Sequence, residues 1–371
     1  MQVDRLVLRF YRNYERCDVT LYPGINLLIG ENGQGKTNLL ESVYFLSCAK
    51  SHRGVEDLSL IQDGNEFASI DSSLISNGSK KRISALIHKK GKSLCLNNEP
   101  VKKTSEFIGK LNAVLFSPAD MNLFDFSPKY RRKFMDMELG KMSVSYINQL
   151  NDYMKLLKER NAILKLPHPD PVLLDTLTEQ MIDPQVQIMK KRHLFVEHLN
   201  KNLTKVFQSL SMTDHVISLQ YMTFVKYDAD DLVIRRNIEE KFEQTKERDC
   251  MTHMTNSGIQ REDIMILMDG HPVSEYASQG QKRMIIISLK IALVQLIREY
   301  IGEYPVLLLD DVFSELDHRR RVNLLRLLPG QIQTIITTTE ADELVERLAA
   351  HIHVYEIKEG VVEPWNYQKK S

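Results

Sequence analysis

The residues best suited to chemistry form a glycine-rich loop near the start of the chain. The pattern G-x-x-x-x-G-K-[ST] is matched by Gly30, Glu31, Asn32, Gly33, Gln34, Gly35, Lys36 and Thr37, with Asn38 next. Glycines at this spacing let successive backbone N–H groups point at phosphate oxygens, and the following helix presents its positive end to the same anion. Lys36 is expected to reach the outer phosphates, and the Thr37 hydroxyl to bind Mg²⁺. The sequence therefore predicts a nucleotide site.

Two carboxylates follow an apolar stretch late in the chain. Val306–Leu309 predicts a buried strand, and Asp310 and Asp311 come directly after it. A carboxylate there lies at the carboxyl edge of the sheet, where α/β proteins bind ligands. We expect Asp310 to bind Mg²⁺ or one of its ligands, and Asp311 to polarise the attacking water. The alternative is an ordinary strand end, and the phosphate loop favours the functional interpretation.

A second element is suited to a phosphate group. Ser278 is a natural N-cap before an apolar helix over residues 282–300, and Gly280, followed by Gln281, leaves its backbone N–H accessible. One nucleotide needs one cradle, which residues 30–37 already supply. We therefore expect the Ser278 site to serve a nucleotide held by another copy of the chain. The alternative is a plain capped helix.

Both strands and helices must position these residues. Ile25–Ile29 reads as a buried strand before the loop, and residues 38–49 as a buried helix after it, which weighs against a chance match. Residues 66–103 alternate as an antiparallel meander with a hairpin turn at Asn77-Gly78. Helical stripes fill the middle third, and a new helix is expected to begin at residues 183–184.

Strands therefore flank a helical middle, which predicts an α/β fold. The expected architecture is one mixed sheet built from both ends of the chain, with a helical lobe inserted. We assign residues 1–118 to the N-terminal part of an ATPase domain, 119–255 to the lobe and 256–371 to the C-terminal part of the ATPase domain.

Composition bounds the function classes. The chain has 371 residues with 49 Lys plus Arg and 49 Asp plus Glu, so any nucleic-acid surface must be local. Hydrophobic residues make up 43%, which excludes extended disorder. Four scattered cysteines form no CxxC pair, which argues against a zinc ribbon or disulfide framework. No signal peptide or membrane-length apolar run is evident, so we expect a cytoplasmic protein with no membrane partner.

Taken in order, five motifs resemble the set carried by ABC-type ATPases of the SMC-like branch. They are GENGQGKTN from residue 30, ASQGQ from residue 277, VLLLDD from residue 306, SELD from residue 314 and TTT from residue 337. More narrowly, nearly the whole chain is similar to the RecF family of bacterial recombination mediators. Residues 10–14, 51–53, 116–118 and 131–134 carry further matches.

The resemblance implies an SMC-like P-loop ATPase head that uses ATP and Mg²⁺. Two copies would sandwich two ATP molecules, with Lys36 and Thr37 of one facing Ser278 and Gly280 of the other. Asp317 would belong to the loop that crosses between them. ATP-dependent dimerisation would govern binding to single-stranded DNA, to gaps and to single-strand–duplex junctions. The implied partners are RecO and RecR, in gap repair, replication restart and the SOS response.

Two departures from the family pattern concern local contacts. Residues 258–263 read Gly-Ile-Gln-Arg-Glu-Asp where the family usually has Gly-Pro-His-Arg-Asp-Asp, and Phe126 stands where glycine is usual. Asp311 is one methylene shorter than the glutamate of many ABC ATPases, which predicts slow, weak ATP hydrolysis suited to a switch.

The alternative functions are a nuclease-linked or defence ATPase of the same superfamily and, more remotely, a transport-coupling ABC ATPase. The long insert between Lys36 and Ser278 disfavours the latter.

Four basic clusters are candidates for DNA contact. Lysine and arginine would neutralise backbone phosphates without reading sequence, and a solvated surface is the alternative for each cluster. The clusters are residues 80–82, residues 89, 90 and 92, residues 131–133 and residues 319–321.

Overall fold

A computed structural model describes residues 1–125, 127–339 and 352–365, so the departure at Phe126 lies outside the described residues. The chain divides into two compact units. The first comprises Met1–Met121, Leu203–His215 and Ser278–Ser371, and the second comprises Asn122–Asn202 and Val216–Ala277. Residues 256–277 thus belong to the second unit. Their strand over residues 263–268 pairs with the strand over residues 217–222, which lies in the same unit.

The described strands are β1 (Gln2–Tyr11), β2 (Tyr14–Thr20), β3 (Ile25–Ile29), β4 (Phe67–Ser76), β5 (Ser79–His88), β6 (Gly91–Leu96), β7 (Glu99–Pro100), β8 (Ala113–Phe116), β9 (Ile217–Met222), β10 (Asp263–Met268), β11 (His271–Pro272), β12 (Val306–Leu309), β13 (Thr334–Thr338), β14 (Ile352–Lys358) and β15 (Val361–Pro364). The described helices are α1 (Lys36–Cys48), α2 (Thr104–Phe107), α3 (Asn122–Asp125), α4 (Pro128–Met142), α5 (Val144–Leu164), α6 (Pro171–Ser211), α7 (Asp231–Thr252), α8 (Val273–Tyr276), α9 (Gln279–Ile301) and α10 (His318–Leu327).

An antiparallel sheet in the first unit has the order β2-β1-β4-β5-β6-β7. Alternate residues such as Leu6, Ile70 and Ile83 are fully buried on one face, as the two-residue period of a strand requires. Asn77 and Gly78 join β4 to β5 with positive φ of 50° and 72°, the conformation of a type I′ hairpin turn. The predicted meander is therefore present, with a polar outer face.

A mixed sheet in the same unit has the order β15-β14-β3-β13-β12-β8. All neighbours pair in parallel except β15, which is antiparallel to β14. The sheet is built from both ends of the chain, so the predicted fold class is confirmed. Because carboxyl ends of parallel strands meet at one edge, Gly30 after β3 and Asp310 after β12 belong to the same edge.

Helix α1 lies between the two sheets of the first unit. It packs against β13 and β8 of the mixed sheet and against β5 of the antiparallel sheet. Leu39, Leu40, Val43 and Phe45 are fully buried, which explains why its sequence is apolar nearly all round. None of the described helices has the length and apolarity needed to cross a membrane.

The second unit contains α4, α5, α7 and most of α6, together with a small antiparallel sheet in the order β11-β10-β9. The strands near residues 216–225 and 264–268 thus form their own sheet and do not extend the mixed one. A buried arginine, Arg192, donates to Glu262 (2.7 Å) and to Asp136 (2.8 Å). This ion-pair network connects α4, α6 and the chain just before β10.

The expected helix start at residues 183–184 is wrong, because α6 continues through that proline. The Gln185 side-chain amide donates to the Met181 carbonyl (3.1 Å), which adds a hydrogen bond beside the proline. Met181, Ile182 and Val186 are buried around it. Burying three such side chains contributes about 2 kcal/mol each, which exceeds the roughly 3 kcal/mol that an internal proline costs.

Candidate functional site

The phosphate loop connects β3 to α1 and is closely packed on its protein side. Gly35 has φ of 118°, and a Cβ there would lie 2.6 Å from the Asn13 side chain and 2.9 Å from the Tyr14 hydroxyl. A Cβ on Gly30 would overlap the main-chain oxygen of Ile357. By contrast, a Cβ on Gly33 would meet nothing within 4 Å. Gly30 and Gly35 are therefore required by packing, whereas Gly33 is favoured by its positive φ of 83° and has open space beside it.

Hydrogen bonds from two hairpins support the loop. Asn13 Nδ2 donates to the Gln34 carbonyl (2.9 Å), and the Tyr14 hydroxyl donates to the Gly35 carbonyl (2.9 Å). Asn38 Nδ2 donates to Asn13 Oδ1 (2.8 Å), and the backbone N–H of Gly360 donates to the Gln34 carbonyl (3.1 Å). Motif spacing did not point to a role for Asn13 or Tyr14, since both lie outside the loop pattern.

The Lys36 ammonium is buried at the mouth of the loop, with its residue only 7% exposed. It donates to the carbonyls of Gly30 (2.5 Å) and Glu31 (2.8 Å). Burial lowers the pKa of Lys36, against the opposing effect of Asp311 and Asp310. The cation is thus held by neutral oxygens near two carboxylates.

The structure brings Thr37 and Asp310 into direct contact. The Thr37 hydroxyl donates to Asp310 Oδ1 (2.8 Å), and the Thr337 hydroxyl donates to the same oxygen (2.9 Å). Asp310 is buried. A hydroxyl and a carboxylate are the hard oxygen donors that Mg²⁺ prefers, so these residues fit that ion.

Asp311 has an unusual backbone and an unsatisfied carboxylate. Its φ is 52°, in the left-handed region, and its N–H donates to the Thr337 hydroxyl (2.8 Å). Its buried Oδ1 has no hydrogen-bond partner in the described part of the chain. A buried acceptor without a partner is unfavourable unless a donor such as water supplies the bond. This oxygen is therefore suited to hold a water molecule.

A buried glutamate on α1 was not singled out from the sequence. Glu41 is completely buried, and its carboxylate accepts from Arg12 Nε (2.9 Å) and from the Ser51 hydroxyl (2.5 Å). Burial alone would raise the pKa of Glu41, but Arg12 and Ser51 hold it below its ordinary value. The cluster fixes α1 to the turn between β1 and β2. A lone carboxylate within an apolar helix was the signal that could have revealed it.

Ser278 caps α9 through a reciprocal pair of hydrogen bonds. Its hydroxyl accepts from the Gln281 N–H (3.3 Å), while its own N–H donates to Gln281 Oε1 (2.8 Å). Ser278 and Gly280 are exposed, and a Cβ on Gly280 would meet nothing within 4 Å. Asp317 caps α10 by accepting from the Arg320 N–H (2.9 Å). No hydrogen bond among the described residues joins Ser278, Gly280 or Asp317 to the phosphate loop of the same chain.

Many cations of the four basic clusters are already engaged. Lys80 pairs with Asp4, Arg82 with Asp71, Lys92 with Asp57 and Arg320 with Asp317. In the second unit, Arg131 pairs with Asp263, and Arg132 donates to the Glu262 carbonyl.

Within residues 258–263, which depart from the family pattern, the Gln260 side chain accepts a hydrogen bond from the Tyr153 hydroxyl. This departure therefore has a structural partner inside the protein.

Both the sequence and the fold of the chain are similar to those of known proteins. The family model described as RecF/RecN/SMC N terminal domain matches residues 2–363. The DNA replication and repair protein RecF of Halalkalibacterium halodurans is 38% identical over 366 residues, covering 97% of this chain and 98% of that protein. The structure of the recombination mediator protein RecF-ATP in the RecFOR pathway matches with a TM-score of 0.90 and 29% identity, covering 98% of this chain and 97% of that one. The SmcHead bound to the C-winged helix domain of ScpA matches at a TM-score of 0.56 and 15% identity, covering 100% and 98%, which shows a shared fold.

The mixed sheet, the phosphate loop and the carboxylate strand end give the chain the fold class of the ABC/SMC-like P-loop ATPase heads. Within that class, the chain belongs to the RecF family.

Proposed function

We propose that this protein is an ATP-dependent DNA-binding switch of recombinational DNA repair and replication. The observation that carries the proposal is the hydrogen bond from Thr37 to Asp310, which joins the phosphate loop to the carboxylate strand end. The full-length similarity to proteins named for DNA replication and repair supports the process, and the similarity to RecF-ATP supports ATP as the nucleotide.

In this proposal the phosphates of ATP lie against residues 30–38. Lys36 exchanges its two carbonyl partners for phosphate oxygens, because hydrogen bonds between oppositely charged groups are stronger than those to neutral oxygens. Mg²⁺ held by Thr37 and Asp310 would supply neutralisation of phosphate charge. Thr337 keeps the Asp310 carboxylate oriented from the neighbouring strand end.

Asp311 orients the water that attacks the terminal phosphate. Its unpartnered Oδ1 supports this role, since it can accept a hydrogen bond from water. The shorter reach of aspartate compared with glutamate loosens that hold, so hydrolysis is weak and slow. Such an ATPase acts as a switch, because its ATP-bound state lasts long enough to control a partner.

A second copy completes each nucleotide pocket. Ser278, Gly280 and Gln281 form the exposed start of α9, where the Gly280 N–H has no intrahelical acceptor and the helix dipole favours an anion. With Asp317, they approach the nucleotide bound to the phosphate loop of the other copy. ATP therefore drives formation of a homodimer.

The dimer controls binding to DNA. Its preferred forms are single-stranded DNA, gapped DNA and single-strand–duplex junctions, and its partners are RecO and RecR. The protein supports SOS induction and acts in the cytoplasm, where the four free cysteines stay reduced.

Sedimentation with nucleotide and DNA tests this proposal. The purified chain is run alone, with ADP, and with ATP and Mg²⁺, each with and without a gapped duplex and at several salt concentrations. We expect a dimer with ATP and stronger DNA retention in that state than with ADP. Equal retention in all nucleotide states, or a monomer in saturating ATP with DNA present, contradicts the proposal.

A further inference from the structure

The outer face of the antiparallel sheet in the first unit is concave and basic. It borders a cavity of about 800 Å³ lined by Arg and Lys at residues 5, 9, 16, 80, 81 and 82 and by only two carboxylates, Asp18 and Asp71. The whole chain has no net charge, so this face concentrates positive charge locally. The family motifs quoted above do not account for the arginines of β1 and β2 on it.

Two arginines on this face lie directly opposite each other. Arg9 of β1 and Arg16 of β2 are register partners in the antiparallel pair, and both are exposed. Neither has an ion pair or side-chain hydrogen bond within residues 1–125, 127–339 and 352–365. Like charges directly opposite destabilise a sheet, and the charge of Arg16 is only partly offset by attraction to Asp18, whose carboxylate is already bound by Arg5. An anion bound between them would offset it.

The two carboxylates of the face are already paired with other arginines. Asp18 accepts two hydrogen bonds from Arg5 (2.7 and 2.5 Å), and Asp71 accepts from Arg82 (3.0 and 2.6 Å). These neutral pairs leave the positive charge concentrated on the cross-strand row that contains Arg9 and Arg16. The two aspartates therefore do little to repel an incoming anion.

Along the same row, two neutral hydroxyl groups follow the arginines, with the exposed Leu86 between them. Ser69 of β4 is the register partner of Arg9, and Ser93 of β6 lies opposite Leu86 of β5, which is itself opposite Ser69. Hydroxyl groups and arginines are common donors to nucleic-acid phosphates. A row of such groups across several strands fits an extended polyanion better than a single small one.

We propose that the outer face of the antiparallel sheet, centred on the facing Arg9 and Arg16, binds the phosphodiester backbone of DNA. This inference rests on the proposed function. Of the four basic clusters identified in the sequence, only residues 80–82 lie on this face. Binding is independent of base sequence, because the row offers phosphate donors, and contacts to phosphates carry no sequence information.

The test is DNA binding by a variant carrying Arg9→Gln and Arg16→Gln. Fluorescence anisotropy of a labelled gapped duplex, with ATP and Mg²⁺, is measured across a salt series. Losing two phosphate contacts should weaken binding about tenfold and lower the slope of log K against log salt by about 2. ATP affinity should stay at the wild-type value, and the melting temperature should not fall. An unchanged DNA affinity and salt slope overturn the proposal.

Two further variants separate charge from fold. Arg9→Lys with Arg16→Lys keeps both charges and should restore wild-type DNA affinity, whereas a loss equal to that of the glutamine variant overturns the charge argument. Lys158→Gln with Arg248→Gln removes two exposed cations from α5 and α7 and should leave the affinity unchanged. A loss there equal to that of the Arg9 and Arg16 variant shows a general charge effect and overturns the assignment.

The outcome also distinguishes this site from the proposed function. If the wild-type chain binds no DNA in any nucleotide state, the proposed function itself fails. If the wild-type chain binds DNA and the glutamine variant binds equally well, only the assignment to this face fails, and an acidic partner protein becomes the better occupant.

Discussion

Thr37 and Asp310 are separated by 273 positions, yet the Thr37 hydroxyl donates to Asp310 Oδ1 over 2.8 Å. The bond joins the first residues of α1 to the end of β12, and Thr337 shares the same acceptor oxygen. A single carboxylate oxygen thus holds together parts of the chain that are remote in sequence. The charge on Asp310 and its hydrogen-bonding geometry can be separated by substitution.

Asp310→Asn should abolish the Mg²⁺ dependence of ATP binding while leaving the fold intact. The asparagine carbonyl oxygen can still accept from Thr37 and Thr337, but the negative charge that attracts the cation is gone. Isothermal titration with ATP, with and without Mg²⁺, measures the effect. Thr337→Val is the control, since it keeps the charge and removes only the two hydrogen bonds of the Thr337 hydroxyl, each worth about 1 kcal/mol. A variant Asp310→Asn with wild-type Mg²⁺ dependence would contradict the assignment.

Lys36→Met should remove ATP-driven dimerisation. The methionine side chain has a similar length and apolar stem but no cation, so it fills the buried position without holding a phosphate. We expect at least a tenfold loss of ATP affinity, because a charge-assisted hydrogen bond contributes about 1.5–3 kcal/mol. Light scattering with saturating ATP and Mg²⁺ should show a monomer. Unchanged dimerisation would remove Lys36 from its proposed role.

Asp311→Asn should stop hydrolysis without weakening ATP binding. Asparagine tolerates the left-handed backbone found at this position, so the substitution removes charge without adding backbone strain. The wild-type rate itself should lie well below the value of about 10 s⁻¹ that is typical of enzymes. A steady-state phosphate-release assay measures both. Hydrolysis by the variant at the wild-type rate would exclude Asp311 as the residue that orients water.

Ser278→Asp separates helix capping from nucleotide contact. Aspartate is as good an N-cap as serine, so the stability of α9 should be retained. Its negative charge would repel the phosphates presented by a second copy, and ATP-dependent dimers should be lost. Gly280→Ala is a steric probe of the same surface, because its Cβ meets nothing in the isolated chain. A Ser278→Asp chain that still dimerises with ATP would leave Ser278 as a cap alone.

Glu41→Gln should lower the free energy of unfolding by about 3 kcal/mol at neutral pH, because it breaks a buried ion pair. The pKa of Glu41 is held below its ordinary value of 4.5, so its stabilisation is fully present above pH 4.5. It is lost as the pH falls through the lower, folded-state pKa. Urea unfolding from pH 7 downward should therefore show the two proteins converging only below pH 4.5. A constant difference at all pH values would contradict this assignment.

The elements that carry local patterns were predictable from the sequence. The phosphate loop, the buried strand before Asp310 and the hairpin at Asn77-Gly78 each depend on residues adjacent in the chain. The mixed sheet followed from strands at both ends. The presence of a second phosphate-binding helix start linked Ser278 to a neighbouring copy, and resemblance alone linked Asp317 to it; both links stay predictions.

Features that depend on distant packing were not predictable. Pro184 does not end α6, because apolar residues on both sides of it are buried by neighbours that no local pattern reveals. The role of Asn13 in supporting the loop depends on a hairpin folded against it. The opposition of Arg9 and Arg16 depends on strand register, which residue types alone leave open.

The strand order of the mixed sheet also determines when the sheet can form during synthesis of the chain. β3 precedes the phosphate loop, yet its two neighbours are β13 and β14, which are the third from last and the second from last of the described strands. On the ribosome, the strand that leads into the loop has no sheet partner until residues 334–338 emerge, and its second partner arrives only with residues 352–358. A prematurely terminated chain would therefore lack a finished cradle and, under the proposed function, could neither hold ATP nor pair with an intact subunit.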